Sequence, residues 1–226
     1  MRTRTFAAAY GAIAILDLLG ELLDRPLLIY LSKPLIAASL FAYFSGRSRG
    51  GPRRFRTMVL AALAFSWLGD VLLMLPGDLF LAGLTAFLLA HACFIVAFTI
   101  STGRRGNRLA GALLALPVLG YGLFVYRYLA PTIPTSMRLP VAVYSAALVL
   151  TVAASLGRLG RVSRPSFWLV LAGAALFATS DSLIGLRQFR GAFPLDDVAV
   201  MATYMAAQLL IVVGCLRQLD PGGARL

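Results

Sequence analysis

The chain has 226 residues, of which 60% are hydrophobic and 13% are charged. Soluble globular domains carry about 25% charged residues, so this composition excludes an ordinary soluble domain and predicts an integral membrane protein. The net charge of +12 comes from arginines in short segments between apolar stretches, which favours anionic lipid headgroups over nucleic acid as the partner.

Eight apolar windows follow one another along the chain, and each is long enough to cross about 30 Å of hydrocarbon at 1.5 Å per residue. Segments rich in glycine, proline, serine and aspartate separate them and indicate turns. The first window follows a basic N-terminus, but no small-residue cleavage site follows it, so we interpret it as a helix and not as a signal peptide. The sequence predicts one transmembrane domain over residues 1–226, an all-α bundle of eight transmembrane helices over 5–23, 27–44, 57–75, 79–99, 108–126, 138–156, 166–187 and 197–218.

The arginines give this bundle an orientation. Twenty of the 21 basic residues are arginines, and Lys33 is the exception. With eight spans, fifteen arginines fall on the side that holds both termini and five on the opposite side. By the positive-inside rule, both termini are predicted to be cytoplasmic. The cytoplasmic arginines need no role beyond orientation and lipid contact, and the arginine bias favours a bacterial cytoplasmic membrane.

The cysteine and histidine content leaves little room for a metal. Cys93 and Cys215 lie in apolar runs, where they are expected to be buried and unpaired. One histidine and two cysteines do not supply a metal-binding motif. No metal and no cofactor is therefore expected.

Asp70 is the most informative residue of the chain. It lies in FSWLGDVLLM, inside an apolar run from Met58 to Leu75. A carboxylate at such a depth costs roughly 2.5 to 3.5 kcal/mol on insertion scales, so it indicates a functional site. Gly69 beside it leaves room for a lipid or for a facing helix.

Several other polar residues share the depth of Asp70. Counting from the outer end of each predicted helix places six of them roughly 8 to 10 Å deep. His91 and Gln208 lie deeper, at roughly 16 to 18 Å, and Gly83, Phe87 and His91 form one stripe of a helix. The layer predicts a pocket open to the outer leaflet, formed by Asp17, Lys33, Asp70, Tyr144, Asp181 and Tyr204.

Each residue of this layer also has a structural interpretation. Lys33 and Asp70 are the two members of a potential ion pair between the second and third helices. Asp181 is flanked by Ser180 and Ser182, whose hydroxyls are candidates to satisfy it. The two tyrosines suit a membrane interface. For His91, a neutral ring bonded to a neighbouring helix and a place in the pocket floor stay open.

Asp17 and Glu21 lie close to the end of the first helix. Their side chains are expected to reach water from there. No functional role is assigned to either acid.

Two buried carboxylates suggest acid–base chemistry. They do not both stay ionised in a medium of low dielectric, and Lys33 nearby favours the charged form of one of them. One protonated and one ionised acid is the arrangement that hydrolyses bonds through an oxocarbenium-like state. A Ser-His-Asp triad is disfavoured, because His91 is counted about two helical turns below the acids.

The same residues resemble a known family, the YhhN-type multi-spanning membrane proteins, which include lysoplasmalogenases. The resemblance extends over the second to the eighth helix, and the first helix matches nothing in it. It rests on Ser32-Lys33-Pro34-Leu35, on Gly69-Asp70 within 65–73, on Gly83-x3-Phe87-x3-His91, on Ala142-Val143-Tyr144, and on Ser180-Asp181-Ser182 within 177–183.

The resemblance implies an enzyme that hydrolyses the vinyl ether bond of lysoplasmalogens, with Asp70 and Asp181 as the essential acids. One acid would protonate the vinyl ether carbon and the other would activate water, and the sequence leaves open which does which. Lys33 would hold the phosphate or tune the acids. Residues expected to bind or position the substrate are Lys33, His91, Tyr144, Ser180, Ser182, Tyr204 and Gln208.

Two other functions use the same polar layer. A proton-coupled transporter also needs intramembrane acids, although its polar groups should continue to the cytoplasmic end. A lipid-binding protein without turnover is the second alternative.

Overall fold

The computed structural model describes residues 3–100 and 108–220, with the side chains of 108–114 excepted. These residues form eight α-helices and one short 3-10 helix, Ala130–Thr132. The helices are α1 Thr3–Leu22, α2 Pro26–Arg47, α3 Arg53–Met74, α4 Phe80–Ile100, α5 Arg108–Leu129, α6 Thr135–Leu156, α7 Arg164–Arg190 and α8 Asp196–Leu219.

Each predicted apolar window coincides with one of these helices, and the ends differ by a few residues. Within the described ranges, seven helices are long and apolar enough to cross a membrane. The exception is α5, whose first seven residues are described by their backbone alone. The all-α membrane-protein class is therefore confirmed. Arg2, Arg104, Arg105 and Arg225, which enter the predicted charge distribution, lie outside the described residues.

Proline and glycine set several helix ends, as the turn chemistry predicts. Pro26 is the first residue of α2, where its missing N–H costs nothing. Pro52 and Pro134 directly precede α3 and α6. Gly191 ends α7 at a φ of 103°, a backbone conformation that favours glycine.

Small residues let α7 and α8 pack at close range. A Cβ on Gly173 would lie 2.8 Å from the Ala207 carbonyl oxygen, and one on Gly214 would lie 3.0 Å from the Val170 nitrogen. The Ser166 hydroxyl donates to the Gly214 carbonyl at 2.7 Å. Close backbone approach at small residues is how helices associate in a bilayer, where apolar burial gives little driving force.

The pair formed by α3 and α4 uses the predicted glycines. A Cβ on Gly83 would lie 2.5 Å from Leu73, and one on Gly69 would lie 2.6 Å from the ring of Phe87. The space beside Asp70 is thus filled by an aromatic ring of the facing helix, one of the two occupants expected for it.

The outside of the bundle is apolar. Leu27, Phe124, Leu139 and Trp168 are each more than 60% exposed, and a surface of this kind suits contact with lipid tails. Inside, Cys215 is buried, Cys93 is half-buried, and both are free. The prediction that both are unpaired is confirmed, and the prediction of burial is confirmed for Cys215 and not for Cys93.

Arg158 departs from the prediction that its loop only contacts lipid. Its side chain is fully buried just after α6. It donates to the Ser166 hydroxyl at 2.9 Å and to Gln218 Oε1 at 2.7 Å, and it lies over the Phe98 ring at 5.5 Å. Burial lowers the pKa of this guanidinium. Arg158 therefore joins the ends of α4, α7 and α8, a role that loop charge alone does not reveal.

Candidate active site

Each of the two predicted acids accepts a short hydrogen bond from a tyrosine. Tyr204 Oη donates to Asp70 Oδ2 at 2.7 Å, which joins α8 to α3. Tyr144 Oη donates to Asp181 Oδ2 at 2.6 Å, which joins α6 to α7. The acids are 5% and 6% exposed. The tyrosines are therefore partners of the acids and not interface aromatics.

Asp181 has a second partner in His91. The ring Nε2 lies 2.9 Å from Asp181 Oδ2, and Nδ1 lies 3.0 Å from Thr151 Oγ1. The other carboxyl oxygen of Asp181, Oδ1, is buried and has no hydrogen-bond partner among the described residues. His91 thus bonds to two neighbouring helices, and its contact with Asp181 makes it part of the acid site.

The prediction that His91 lies two helical turns below the acids is wrong for Asp181. The reason is the end of α7, which was predicted at residue 187 and lies at Arg190. At 1.5 Å per residue, Asp181 is then about 14 Å from the end of α7, and His91 is about 17 Å from the start of α4. A Ser-His-Asp triad is still disfavoured, because Nδ1 faces a threonine whose hydroxyl bonds to the Ala147 carbonyl.

Aromatic rings pack against both acid–tyrosine pairs. Phe177 lies 4.6 Å from His91 and 5.5 Å from Tyr204, measured between ring centroids. Phe87 lies 5.9 Å from Tyr204 and 6.2 Å from Phe177. These contacts fix the tyrosine and histidine rings and keep the surroundings of the acids apolar.

Gln208 contacts the tyrosine of the Asp70–Tyr204 pair. Its Nε2 donates to Tyr204 Oη at 3.3 Å, which leaves the tyrosine proton for Asp70. Within the described part of the chain, Gln208 Oε1 and Ser66 Oγ are buried without a hydrogen-bond partner. Ser66 lies one helical turn before Asp70, and Gln208 lies one helical turn after Tyr204. The Asp70 side of the site therefore holds two polar atoms that are available for a further hydrogen bond.

Lys33 does not pair with Asp70. Its Nζ lies 3.0 Å from Glu21 Oε1, and Asp17 Oδ1 accepts a hydrogen bond from Ser32 at 2.8 Å. Asp17 is fully buried and the side chain of Glu21 is 6% exposed. The structural interpretation of Lys33 and Asp70 as an ion pair is therefore wrong, and so is the expectation that the two acids of α1 reach water. Both acids find partners on α2, because the turn after α1 brings the two helices side by side.

The serines beside Asp181 do not satisfy it, contrary to one interpretation of the Ser-Asp-Ser sequence. Ser180 donates to the Val200 carbonyl at 3.0 Å and fastens α7 to α8. Ser182 donates to the Ala178 carbonyl at 2.7 Å and accepts from Tyr121 at 3.0 Å. These serines position the helix that carries the acid.

An apolar cleft between α5, α6 and α7 adjoins a small cavity beside Asp181. The cleft has a volume of about 270 Å³ and is lined by residues such as Gly122, Val149 and Ala175. A narrower cavity of about 50 Å³ is lined by Asp181 and Tyr144. The cleft and the cavity share Val125, Ser145, Leu148 and Ser182. A hydrocarbon chain in the cleft would therefore lie next to the cavity that Asp181 lines.

Sequence reasoning missed three parts of this site. Thr151 and Tyr121 look like ordinary helix residues, and their hydrogen bonds to His91 and Ser182 become visible only when helices are placed together. Glu21 stood outside the family resemblance. The sole signal for it was the isolated Lys33, a buried cation that needs an anion.

The site thus belongs to an all-α, multi-spanning membrane protein in which buried carboxyl groups meet tyrosine and histidine beside an apolar cleft. The chain is a member of the YhhN family, whose model matches residues 28–215. That range begins in α2 and ends in α8, so the predicted resemblance is confirmed and α1 lies outside the match. No solved structure matches the chain.

Three of the curated relatives that the chain matches are named lysoplasmalogenases. A lysoplasmalogenase of Mycobacterium bovis is 34% identical over 204 residues, which cover 88% of this chain and 72% of the relative. The human lysoplasmalogenase TMEM86B is 31% identical over 188 residues, covering 83% of this chain and 74% of the relative. The pig lysoplasmalogenase TMEM86B is 32% identical over 181 residues, covering 80% and 72%.

Proposed function

We propose that this protein is a lysoplasmalogenase, an intramembrane hydrolase that splits the vinyl ether bond of lysoplasmalogens into a fatty aldehyde and a glycerophospho-base. The names of the curated relatives support this function. The observation that carries it is the pair of buried carboxyl groups, Asp70 and Asp181, each fixed by a tyrosine. The apolar cleft beside the cavity of Asp181 suits a substrate with a long hydrocarbon chain.

The reaction needs one acid and one base. A proton goes to the alkenyl carbon next to the ether carbon, and the ether carbon becomes an oxocarbenium ion. Water attacks that carbon and gives a proton to the base. The resulting hemiacetal collapses to aldehyde and a free glycerol hydroxyl. Two carboxyl groups in opposite protonation states supply both functions, and general acid–base catalysis of this kind contributes typically about 10² to 10⁴ in rate.

The other side chains hold the acids and the substrate. Tyr144 and Tyr204 orient the carboxyl groups, His91 and Gln208 support them, and Ser180 and Ser182 fix α7. Lys33, with Glu21 as its counter-ion, is the group that we assign to the phosphate. A zwitterionic headgroup offers both charges, so it can bind to this ion pair without leaving a charge unpaired.

We further propose that all eight helices span the membrane as one domain, with both termini cytoplasmic. Seven helices meet the length and hydropathy that a span requires, and the arginine distribution supports an even number of spans. The bacterial cytoplasmic membrane is the proposed location, with anionic headgroups at the exposed loop arginines. A topology reporter inserted after Gly106 should be cytoplasmic, and a reporter found outside would contradict the orientation.

Substrate selectivity tests the function. Purified wild-type protein in detergent is given a lysoplasmalogen or an acyl lysophospholipid with the same headgroup and chain length. We expect aldehyde release from the lysoplasmalogen and no release of fatty acid from the acyl lipid. Release of fatty acid would assign a lysophospholipase. No turnover, together with movement of the lipid across reconstituted vesicles, would assign a transporter.

A further inference from the structure

The hydrogen bonds around His91 fix the positions of its protons. Thr151 Oγ1 lies 2.8 Å from the Ala147 carbonyl oxygen and 3.0 Å from His91 Nδ1. A hydroxyl has one proton to donate, and a carbonyl oxygen can only accept. The Thr151 proton therefore goes to Ala147. The contact with the ring is a hydrogen bond only if Nδ1 carries a proton and donates it to Thr151.

The same count of donors and acceptors also requires a proton between the other ring nitrogen, Nε2, and Asp181. His91 Nε2 lies 2.9 Å from Asp181 Oδ2, and two bare acceptors would repel each other at that distance. One proton must lie between these atoms. Its position follows from Tyr144, which donates to the same oxygen at 2.6 Å. A carboxyl oxygen that already accepts from a phenol forms a second hydrogen bond better as a bare carboxylate acceptor than as a carboxylic hydroxyl, so we place the shared proton on Nε2.

Asp70 has a different set of neighbours. Among the described residues, Tyr204 is the one donor to Asp70 Oδ2, and the cation of this region, Lys33, is in contact with Glu21. In the described part of the chain, no charged donor touches Asp70 as His91 touches Asp181. A buried carboxyl group without a cation in contact is most stable in its neutral, protonated form.

From these contacts we propose that His91 is a doubly protonated, positively charged positioning residue that keeps Asp181 ionised as the base, which leaves Asp70 as the proton donor. The inference rests on the proposed function for its catalytic meaning. Asp181 Oδ1, buried and without a partner among the described residues, is the oxygen that takes the proton from water.

The proton cycle closes with this assignment. Asp70 gives its proton to the alkenyl carbon and becomes a carboxylate, and Asp181 takes a proton from the attacking water. In the collapse of the hemiacetal, the two acids exchange functions. Asp181 Oδ1 serves as donor to the glycerol oxygen, and Asp70 removes the hemiacetal hydroxyl proton. Both acids return to their starting states, and one water is consumed for each aldehyde released.

The single histidine of the chain makes the charge of His91 directly measurable. Protein labelled with ¹⁵N-histidine should give one pair of ring nitrogen signals, both protonated at neutral pH. An unprotonated nitrogen of either kind would overturn the proposal. In Asp181→Asn the ring should become neutral, because its counter-ion is gone. A ring that stays doubly protonated in that variant would also overturn the proposal.

Thr151 provides a matched pair of variants for the same signal. Thr151→Ser keeps a hydroxyl that accepts from Nδ1, and it should keep the doubly protonated ring. Thr151→Val should lose it, because no acceptor remains for Nδ1. A doubly protonated ring in Thr151→Val would show that the proton on Nδ1 does not depend on this contact, and it would contradict the argument that assigns this proton.

Solvent deuterium tests which acid gives the proton. In Asp181→Asn the acid step remains, so an oxocarbenium ion that is not attacked by water returns to substrate. Unreacted lysoplasmalogen recovered from D₂O should then carry deuterium at the alkenyl carbon. Asp70→Asn should give none. Deuterium in the Asp70→Asn sample, or in neither sample, would overturn the assignment.

The proposed function fails in a different way. If wild-type protein releases no aldehyde from lysoplasmalogen, the function is wrong whatever the histidine signal shows. If aldehyde is released and the ring is neutral, the function stands and the proposed charge on His91 is wrong.

Discussion

The sites of Asp70 and Asp181 share a tyrosine donor and differ in the other side chain that contacts each acid–tyrosine pair. Asp70 and Asp181 each accept a hydrogen bond of 2.6 to 2.7 Å from a buried tyrosine. Behind Tyr204 stands the neutral amide of Gln208, whereas Asp181 is also bonded by an imidazole. A pair of similar residues in an apolar medium can therefore be driven to opposite protonation states by one additional donor.

Of the variants that distinguish the two acids, those that remove a tyrosine hydroxyl should have the largest effect on aldehyde release. Tyr144→Phe deletes a donor to a charged carboxylate, a bond worth about 1.5 to 3 kcal/mol, whereas Tyr204→Phe deletes a bond to a neutral acid, worth about 0.5 to 1.5 kcal/mol. We expect aldehyde release to fall by roughly 10- to 150-fold in the first variant and by roughly 2- to 10-fold in the second.

The ratio of the two losses is the informative quantity, since both variants remove one buried hydroxyl from a ring that stays packed. Turnover measured with a saturating and a limiting concentration of lysoplasmalogen separates the chemical step from binding. A larger loss in Tyr204→Phe would reverse the assignment of the acids.

The packing of Phe87 beside Asp70 offers a smaller effect. Gly69→Ala places a Cβ 2.6 Å from the Phe87 ring, and such overpacking costs typically about 1 to 3 kcal/mol. We expect a lower midpoint of thermal unfolding in detergent, with recovery in the double variant Gly69→Ala/Phe87→Leu. Gly11→Ala is the matched control, because a Cβ there meets nothing within 4 Å. An unchanged midpoint in Gly69→Ala would contradict the packing.

The smallest expected effect concerns the cleft, which adjoins the cavity of Asp181 and has no lining residue among the described residues of α3. Ala175 lines the cleft from its exposed side, so Ala175→Leu should narrow it without disturbing the core. Turnover of long-chain lysoplasmalogens should fall several-fold relative to short-chain ones, near the lower end of the range of about 1 to 3 kcal/mol that one methylene carries in an apolar pocket.

Ala172→Leu is the control for this prediction, since Ala172 is exposed on the same helix and does not line the cleft. Competition between two chain lengths in one mixture measures the preference directly. Equal losses for both chain lengths would mean that the substrate chain does not occupy the cleft.

The sequence predicts most of the fold because membrane helices are read from hydropathy alone. All eight helices coincide with apolar windows, and Asp70 and Asp181 stand out because a carboxylate is costly in an apolar run. What the sequence does not predict is the depth of a residue to within one turn. Because α7 extends three residues beyond its predicted end, Asp181 lies close to the level of His91.

The partners of the polar residues are equally hidden. Lys33 has acids within reach on two helices, and only the three-dimensional arrangement shows that Glu21 is in contact with it. Thr151 bonds to its own helix, as many helical threonines do, and at the same time accepts from His91. Such choices depend on rotamers and helix rotation, which hydropathy does not encode.

The central claim is that two acids together hydrolyse the vinyl ether, and substitution of each acid tests it most directly. Aldehyde release from lysoplasmalogen is compared for wild type, Asp70→Asn, Asp181→Asn and Asp24→Asn. The last is an isosteric control on an exposed acid at a φ of 48°, a conformation that asparagine accepts. We expect a loss of about 10² or more in each of the first two variants and wild-type activity in the third. Undiminished release by either Asp70→Asn or Asp181→Asn would remove that acid from the reaction and contradict the two-acid mechanism.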